Sequence, residues 1–350
     1  MLTLLALLLS PVVLDTVRIR TIPERVFQDY SLAAYPNFDL LIENATSDTL
    51  HVERLTVLAY DSNGRLVDRR FAAGPATALL LPARTIDPGE AGLLYQPFTF
   101  AGRPPLARLR YELLLTAADG RERNAVADVL LQPFEPATRL ELPLKQRVLV
   151  DDGYDFLSHH RRIDWTASFA KPLKLSDNFQ RFALDLCVVD SAGNRHRGSG
   201  TQNAEWFGWN GAVLAPAAGT VVVARDGQPD NEADRKQGNY DPRTILTDPM
   251  GAYGNHLVID HGNGEFTLLG HLRNGSVRVR RGEHVEAGTI VAAVGNSGSA
   301  LYPHLHFELR TGSGFGAPGL PPGFVGARRI ASKNDDAVMF PNTGDLIEPR

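Results

Sequence analysis

One cysteine in 350 residues, Cys187, excludes any disulfide within the chain and leaves cysteine usage silent on compartment. It stands in the apolar run 182–189 and reads as a packing residue. A basic excess is also missing. Lys and Arg total 36 against 40 Asp and Glu, a formal charge of −4, which argues against a nucleic-acid binder. Long apolar runs are absent apart from Met1 to Leu14, which is too short for a membrane span. That stretch carries Leu-Leu-Ala-Leu-Leu-Leu but no basic side chain before it and no small-x-small cleavage site. Residues 1–15 are read as a signal segment, with a first strand or a misplaced start as the alternatives. The mature protein is then expected in the cell envelope, periplasmic or secreted, without a membrane span. Helical periodicity is nearly absent too. What the chain has instead is 32 glycines, 23 prolines and many short alternating runs, in a length that suits two domains.

From residue 16 to 136 the runs at Phe38–Ile42, His51–Tyr60, Ala78–Leu81 and Leu109–Thr116 read as strands. Asn63-Gly64, Asp119-Gly120 and Pro88-Gly89 read as the turns between them. This spacing predicts an immunoglobulin-like β-sandwich. It holds no cluster of His, Asp or Glu with ligand spacing, and His51 stands alone. An interaction or spacer role follows, with an envelope protein as the expected partner. Pro133, Pro136 and Pro143 mark a linker, placed at 137–145.

Residues 146–350 read as a second, nearly all-β domain. Residues 178–190 predict a strand with Arg181, Ala183 and Asp185 on one face. A polar insertion, Ser191 to Trp209, follows, then two strands within 211–224 and a charged loop from Asp226 to Pro249. Residues 255–260 and 265–270 predict a hairpin around Asn263-Gly264. His304-Leu-His306 lies in an alternating segment, so a strand's period of two aims both imidazoles at one face. The Gly- and Pro-rich tail from Thr311 is expected to wrap the domain as loop.

The ordered set Phe-Ala-Leu-Asp185, Ala-Pro-Ala-Ala-Gly-Thr-Val, Gly-Asn-His-Leu-Val-Ile-Asp-His-Gly, Gly-His271-Leu, Val-Gly-Asn-Ser-Gly and Pro-His304-Leu-His306-Phe resembles the LytM/lysostaphin-type zinc endopeptidases that cut peptidoglycan cross-links. The resemblance implies a twisted antiparallel β-sheet domain with a groove floored by zinc. It implies Asp185 and His306 as ligands, and His271 and His304 as catalytic histidines. Zinc in a hydrolase typically takes three protein ligands and activates a water, for which a nearby histidine can serve as general base.

The sequence departs from that pattern at one point. Four residues before Asp185, where the family has a ligand histidine, stands Arg181, which is always protonated and cannot bind a metal. His159, His160 and His196 are candidates for the third ligand, the first two from an irregular stretch able to fold back over the groove. His160-Arg-Arg-Ile-Asp164 has the literal His-x-x-x-Asp spacing but not the strand context, and is set aside as a separate motif. Arg181 is then a partner of Asp185, a grip for a substrate carboxylate, or a solvated surface group. Trp206 and Trp209 are groove-lining candidates, equally readable as packing. Asn296 and Ser297 are turn residues beside the site, with Asn296 a candidate substrate contact. His256, His261 and His284 read as structural or exposed.

Three functions are suggested by these residues, and the third is set aside. The first is a zinc metalloendopeptidase acting on peptidoglycan or another envelope peptide. The second is a degenerate relative that binds peptidoglycan or regulates another wall hydrolase. The third is a swinging-arm carrier, suggested by the Gly-Glu-His-Val-Glu-Ala-Gly hairpin. It requires a lysine at the hairpin tip, and no lysine occurs between Lys236 and Lys333.

Overall fold

Alternation in the sequence becomes antiparallel sheet almost throughout. The computed structural model describes residues 16–28, 35–81, 85–168, 170–233, 241–330 and 337–350, and the signal segment read at 1–15 lies outside them. Among the described residues there is no α-helix, only short 3-10 turns. The chain forms two compact units. One takes residues up to Val26, Phe38–Pro97 and Gly102–Gln132; the other takes Phe27–Asn37, Phe98–Ala101 and Pro133–Arg350.

The first unit is the expected two-sheet sandwich. Leu50–Asp61 and Leu106–Ala117 pair antiparallel at the centre of a six-stranded sheet, and Val17–Ile22, Asp39–Asn44 and Ala91–Tyr95 make a three-stranded one. Register aligns the apolar positions: Leu55 lies opposite Leu113, Val57 opposite Tyr111 and Ala59 opposite Leu109, all buried. Phe38 meets Tyr111 edge-on at 5.6 Å between ring centroids, an arrangement that suits the ring quadrupoles. The Asn63-Gly64 turn closes on Asp61, with Gly64 at φ 75°, a conformation that favours glycine. The strand expected at Ala78–Leu81 is absent. Pro75 opens a 3-10 helix over Gly74–Leu79, and a proline there presets the helical φ.

The second unit is built on a ten-stranded sheet. Its centre runs Asn255–Asp260, Phe266–Leu272, Leu305–Arg310, Leu184–Val188, Val148–Asp152, with each neighbour antiparallel. The expected hairpin around Asn263-Gly264 forms. Leu305, Phe307 and Leu309 point into the main core with Leu184, Leu186, Leu257, Ile259 and Leu269. The period of two therefore sends His304, His306, Glu308 and Arg310 to the opposite face.

Two boundaries differ from expectation. Residues 137–145 are part of the second unit and not a free linker. The Glu265 carboxylate accepts the backbone N–H groups of Ala137 and Thr138 at 2.9 and 2.8 Å, and Leu140, Leu142 and Leu144 are buried in the core. Prolines punctuated this stretch without freeing it, because its apolar residues had a core to join. The tail from Thr311 is also more than loop. Leu346–Pro349 pairs with Val148–Asp152 and with Ala327–Arg329, extending the sheet at one edge.

Candidate metal centre

Asp185 is the point on which the site converges. It lies opposite His306 in the strand register, and Gly270 lies opposite His306 on the other side. Three imidazole nitrogens approach a single oxygen, Asp185 Oδ1. His306 Nδ1 stands at 3.0 Å, His304 Nε2 at 3.3 Å and His160 Nε2 at 3.5 Å. All four residues are at most 5% exposed. His271 completes the group, with ring centroids 4.8 Å from His304 and 5.5 Å from His306.

Backbone carbonyls fix two of these rings. His304 Nδ1 donates to Tyr302 O at 2.8 Å and His271 Nδ1 to Ser297 O at 2.8 Å. With the proton on Nδ1, each Nε2 keeps its lone pair. His271 sits at φ 57°, a left-handed conformation unusual for a residue with a Cβ, and such strain collects at functional sites. The loop behind it explains the Gly-Asn-Ser-Gly motif. Ser297 Oγ accepts the Asn255 N–H and donates to Leu272 O, and a Cβ on Gly298 would lie 2.4 Å from Gly254 N.

His160 arrives from outside the sheet. The segment that carries it is held from below: Asn178 Nδ2 donates to His160 O at 2.7 Å, and Arg161 Nε donates to Tyr35 OH at 2.9 Å. His159 points elsewhere. Its ring is largely exposed and its Nδ1 is hydrogen-bonded to Asp152, which lies opposite Asp185 in register. Asp152, His159, His160 and Asp185 can still bring one donor atom each within 4.8 Å of one another. His196 packs against Trp206, with ring centroids 4.9 Å apart and the planes tilted by 51°, instead of joining the cluster. Asp164 serves a local turn, accepting from the Thr166 N–H and hydroxyl.

Arg181 does not share a face with Asp185, because the strand begins only at Leu184 and Arg181 precedes it in a turn. It is buried. It pairs with Asp177 and donates to Asn37 Oδ1 at 3.2 Å, while Asn37 Nδ2 donates back to Arg181 O at 2.6 Å. The readings as substrate grip, as Asp185 partner and as solvated residue are therefore all corrected. Arg181→Met is expected to destabilise the chain by about 3 kcal/mol, since it takes the guanidinium from the Asp177 carboxylate and from the buried Asn37 Oδ1. Urea unfolding monitored by fluorescence measures this, and a change under about 0.5 kcal/mol, typical of surface substitutions, would contradict it. Asn296 is likewise fully buried, bonding to Asn203 Oδ1 at 2.9 Å and not open to a substrate. Trp209 is half-buried with Arg273 over its ring at 5.8 Å, and Trp206 is buried and stacks on Tyr302 at 5.0 Å.

Sequence reasoning missed Glu308, Tyr302 and Asp152. Glu308 Oε1 lies 2.9 Å from His306 Nε2. The signal for it was there, since the alternation His-x-His continues as x-Glu-x-Arg.

Burial works against ionisation of Asp185, but the neighbouring His304 and His160 rings, with the hydrogen bond from His306, hold its carboxyl well below the ordinary range. Burial also opposes charge on His306, yet hydrogen bonds to Asp185 and Glu308 lift it to about 9. Burial pushes His160 down to about 4 and His271 well below its ordinary value. Away from the cluster, burial lowers His256 from 6.5 to about 4, with its Nδ1 on Gly254 O. The unfolded chain takes up that proton below about pH 6.5 and the folded chain does not until about pH 4. Stability from this group is thus present above about pH 6.5 and falls by about 3 kcal/mol as pH drops to about 4. His256→Asn is expected to flatten that part of a denaturation series against pH; an unchanged slope contradicts it.

The second unit thus gathers four imidazoles and a carboxylate into one buried cluster, and part of that cluster could hold a metal ion. Residues 202–317 match Peptidase family M23, and this part of the chain is a domain of that family, as the LytM-type motifs indicated. The matched span holds His271, His304 and His306 but begins after Asp185, His159 and His160. The chain is 36% identical over 102 residues to the murein hydrolase activator EnvC of Escherichia coli, covering 29% of this chain and 20% of that protein. It is 41% identical over 56 residues to the peptidoglycan DD-endopeptidase ShyA of Vibrio cholerae, 16% of this chain and 13% of that one. The catalytic domain of lysostaphin from Staphylococcus simulans aligns over 39% of this chain and 73% of its own length, at 20% identity and a TM-score of 0.24. The chain thus spans only about a fifth or less of the two curated relatives. No helix among the described residues is long and apolar enough to cross a membrane.

Proposed function

We propose that the second unit is a zinc-dependent endopeptidase hydrolysing peptide bonds in peptidoglycan cross-links, with His160, Asp185 and His306 holding the metal. The observation that carries this reading is the meeting of three buried imidazoles at Asp185 Oδ1. Donors on a tetrahedral zinc, with bonds of about 2.0–2.1 Å, lie about 3.3 Å apart. The 3.0 and 3.5 Å separations of His306 Nδ1 and His160 Nε2 from that oxygen fit such a set, and imidazole with carboxylate is a donor combination zinc favours. Zinc, when bound, supplies Lewis acidity toward a carbonyl and lowers the pKa of water. The chain's own part is proton handling and orientation. His304 and His271 each offer an Nε2 lone pair to the site, one to take a proton as general base. The other, once protonated, donates to the developing oxyanion or the leaving amine. The sheet supplies the rigid floor.

Relatives named as a peptidoglycan DD-endopeptidase and a murein hydrolase activator support a wall peptide as substrate and the cell envelope as location. The sandwich is proposed to engage an envelope protein. A second reading, a domain that activates another wall hydrolase, is favoured by the activator relative. Zinc content of the full chain, followed by release of peptides from purified peptidoglycan with and without a chelator, separates the two. Stoichiometric zinc with chelator-sensitive release supports the enzyme. A chain that binds no zinc after reloading, yet stimulates a second hydrolase, sinks it.

A further inference from the structure

The strand that carries His271 runs on into a charge that the cluster around Asp185 does not use. Leu269 and Leu272 both lie in the main core, yet the register between them shifts against the neighbouring strand at Asn255/Leu257. Gly270 and His271 therefore share the place opposite His256, a bulge that turns His271 away from the core. Alternation then resumes: Leu272 points inward, and Arg273 follows onto the face that His271 occupies. The Arg273 backbone is also close to His304. Gly295 bridges His304, donates its N–H to His271 O at 3.1 Å, and would place a Cβ 2.2 Å from Arg273 N.

Val294 brings Trp209 to the same place. It bridges Leu272, its carbonyl accepts the Asn210 N–H at 2.9 Å, and its N–H donates to Gly211 O at 2.8 Å. The Arg273 guanidinium consequently sits over the Trp209 ring, 5.8 Å from its centroid, with both side chains half-buried. Among the described residues Arg273 has no carboxylate partner and no side-chain hydrogen bond. Acidic groups of the adjoining loops are engaged elsewhere. Asp226 accepts the N–H groups of Gly275 and Val277, and Asp230 those of Asn274 and Asn296.

We propose that Arg273 and Trp209 form a subsite for a carboxylate of the substrate peptide, an inference that rests on the reading of this unit as a wall peptidase. A guanidinium is always charged, and its planar fork of N–H donors matches a carboxylate with two parallel hydrogen bonds. Over an indole it sheds part of its water and keeps its charge, while its donors lie in its own plane, clear of the ring. Packing on the ring also restricts the long side chain, so less freedom is lost when an anion arrives. Half-burial sets the strength, because a fully exposed pair is worth little and partial exclusion of water strengthens it. The subsite then favours peptides that carry a carboxylate near the bond to be cut over their amidated forms.

The test uses the full chain and a peptidoglycan stem tripeptide, which is too short to contain a cross-link. Binding is measured by calorimetry for the free acid, for its C-terminal amide and for its side-chain amide. The parent is expected to bind the acid about tenfold more tightly than one of the amides, which identifies the carboxylate held. Arg273→Gln is expected to bind the acid and that amide alike. Equal binding of all three peptides by the parent, binding of none, or an undiminished preference in Arg273→Gln overturns the inference. Should Arg273→Gln fail to fold, Arg273→Lys keeps the charge without the fork, and an undiminished preference there overturns it equally. Zinc content and peptide release judge the catalytic reading separately. A chain that prefers the acid through Arg273 yet never takes up zinc keeps this subsite and loses the enzyme.

Discussion

His160→Ala in the full chain is expected to reduce bound zinc from about one ion per chain to almost none, while His159→Ala leaves it unchanged. The two residues are neighbours in sequence, and the sequence could not choose between them. The structure separates them by burial and aim. His160 is 1% exposed with Nε2 at 3.5 Å from Asp185 Oδ1, whereas His159 is solvent-facing and bonded to Asp152. In the proposed site His160 is one of three direct ligands, so the affinity loss should exceed the roughly 10–100-fold that an outer-shell partner costs. Asp185→Ala should behave in the same way. Metal analysis after gel filtration is the measurement. Zinc retained in His160→Ala but lost in His159→Ala would exchange their roles. Zinc retained in both would move the third ligand away from this segment.

The second large effect concerns the histidines proposed to move protons. His304→Ala and His271→Ala should each keep their zinc yet lose about 10²–10⁴-fold in peptide release from peptidoglycan. Their Nδ1 atoms are engaged by Tyr302 O and Ser297 O, which leaves Nε2 of each ring for the reaction. Residues that act together lose activity non-additively, so the double variant should be little worse than the poorer single one. Activity within threefold of the parent for either single variant would remove that residue from the mechanism. Loss of zinc alongside activity in His304→Ala would instead make it a ligand, a role its 3.3 Å approach to Asp185 allows by distance.

Much of this was legible in sequence because short-range rules govern it. Alternation over His304-Leu-His306 fixed a strand and a face, Asn263-Gly264 fixed a hairpin, and the order of motifs pointed to the LytM-type fold. Asp185, His271 and His306 sit on paired strands and His304 on an isolated bridge just before one, and the four side chains lie together. The same local logic failed at Arg181. Extending the period of two backward from Asp185 assumed a strand that starts later, at Leu184. It failed again in the tail, where glycine and proline suggested loop but a free sheet edge recruited strands.

Tertiary structure alone decided the rest. Sequence named His159, His160 and His196 as alternatives without ranking the first two, because an irregular segment has no periodicity from which to read direction. Its path is set by distant groups, Asn178 beneath the His160 carbonyl and Tyr35 on Arg161, separated from it by 18 and 126 residues. Arg181 stands where the family carries a ligand and holds Asn37, 144 residues away, instead. Side-chain roles of this kind depend on which partners the fold brings within hydrogen-bond reach. Strand, turn and face belong to the sequence; which histidine of the irregular segment is brought to Asp185 belongs to packing at long range.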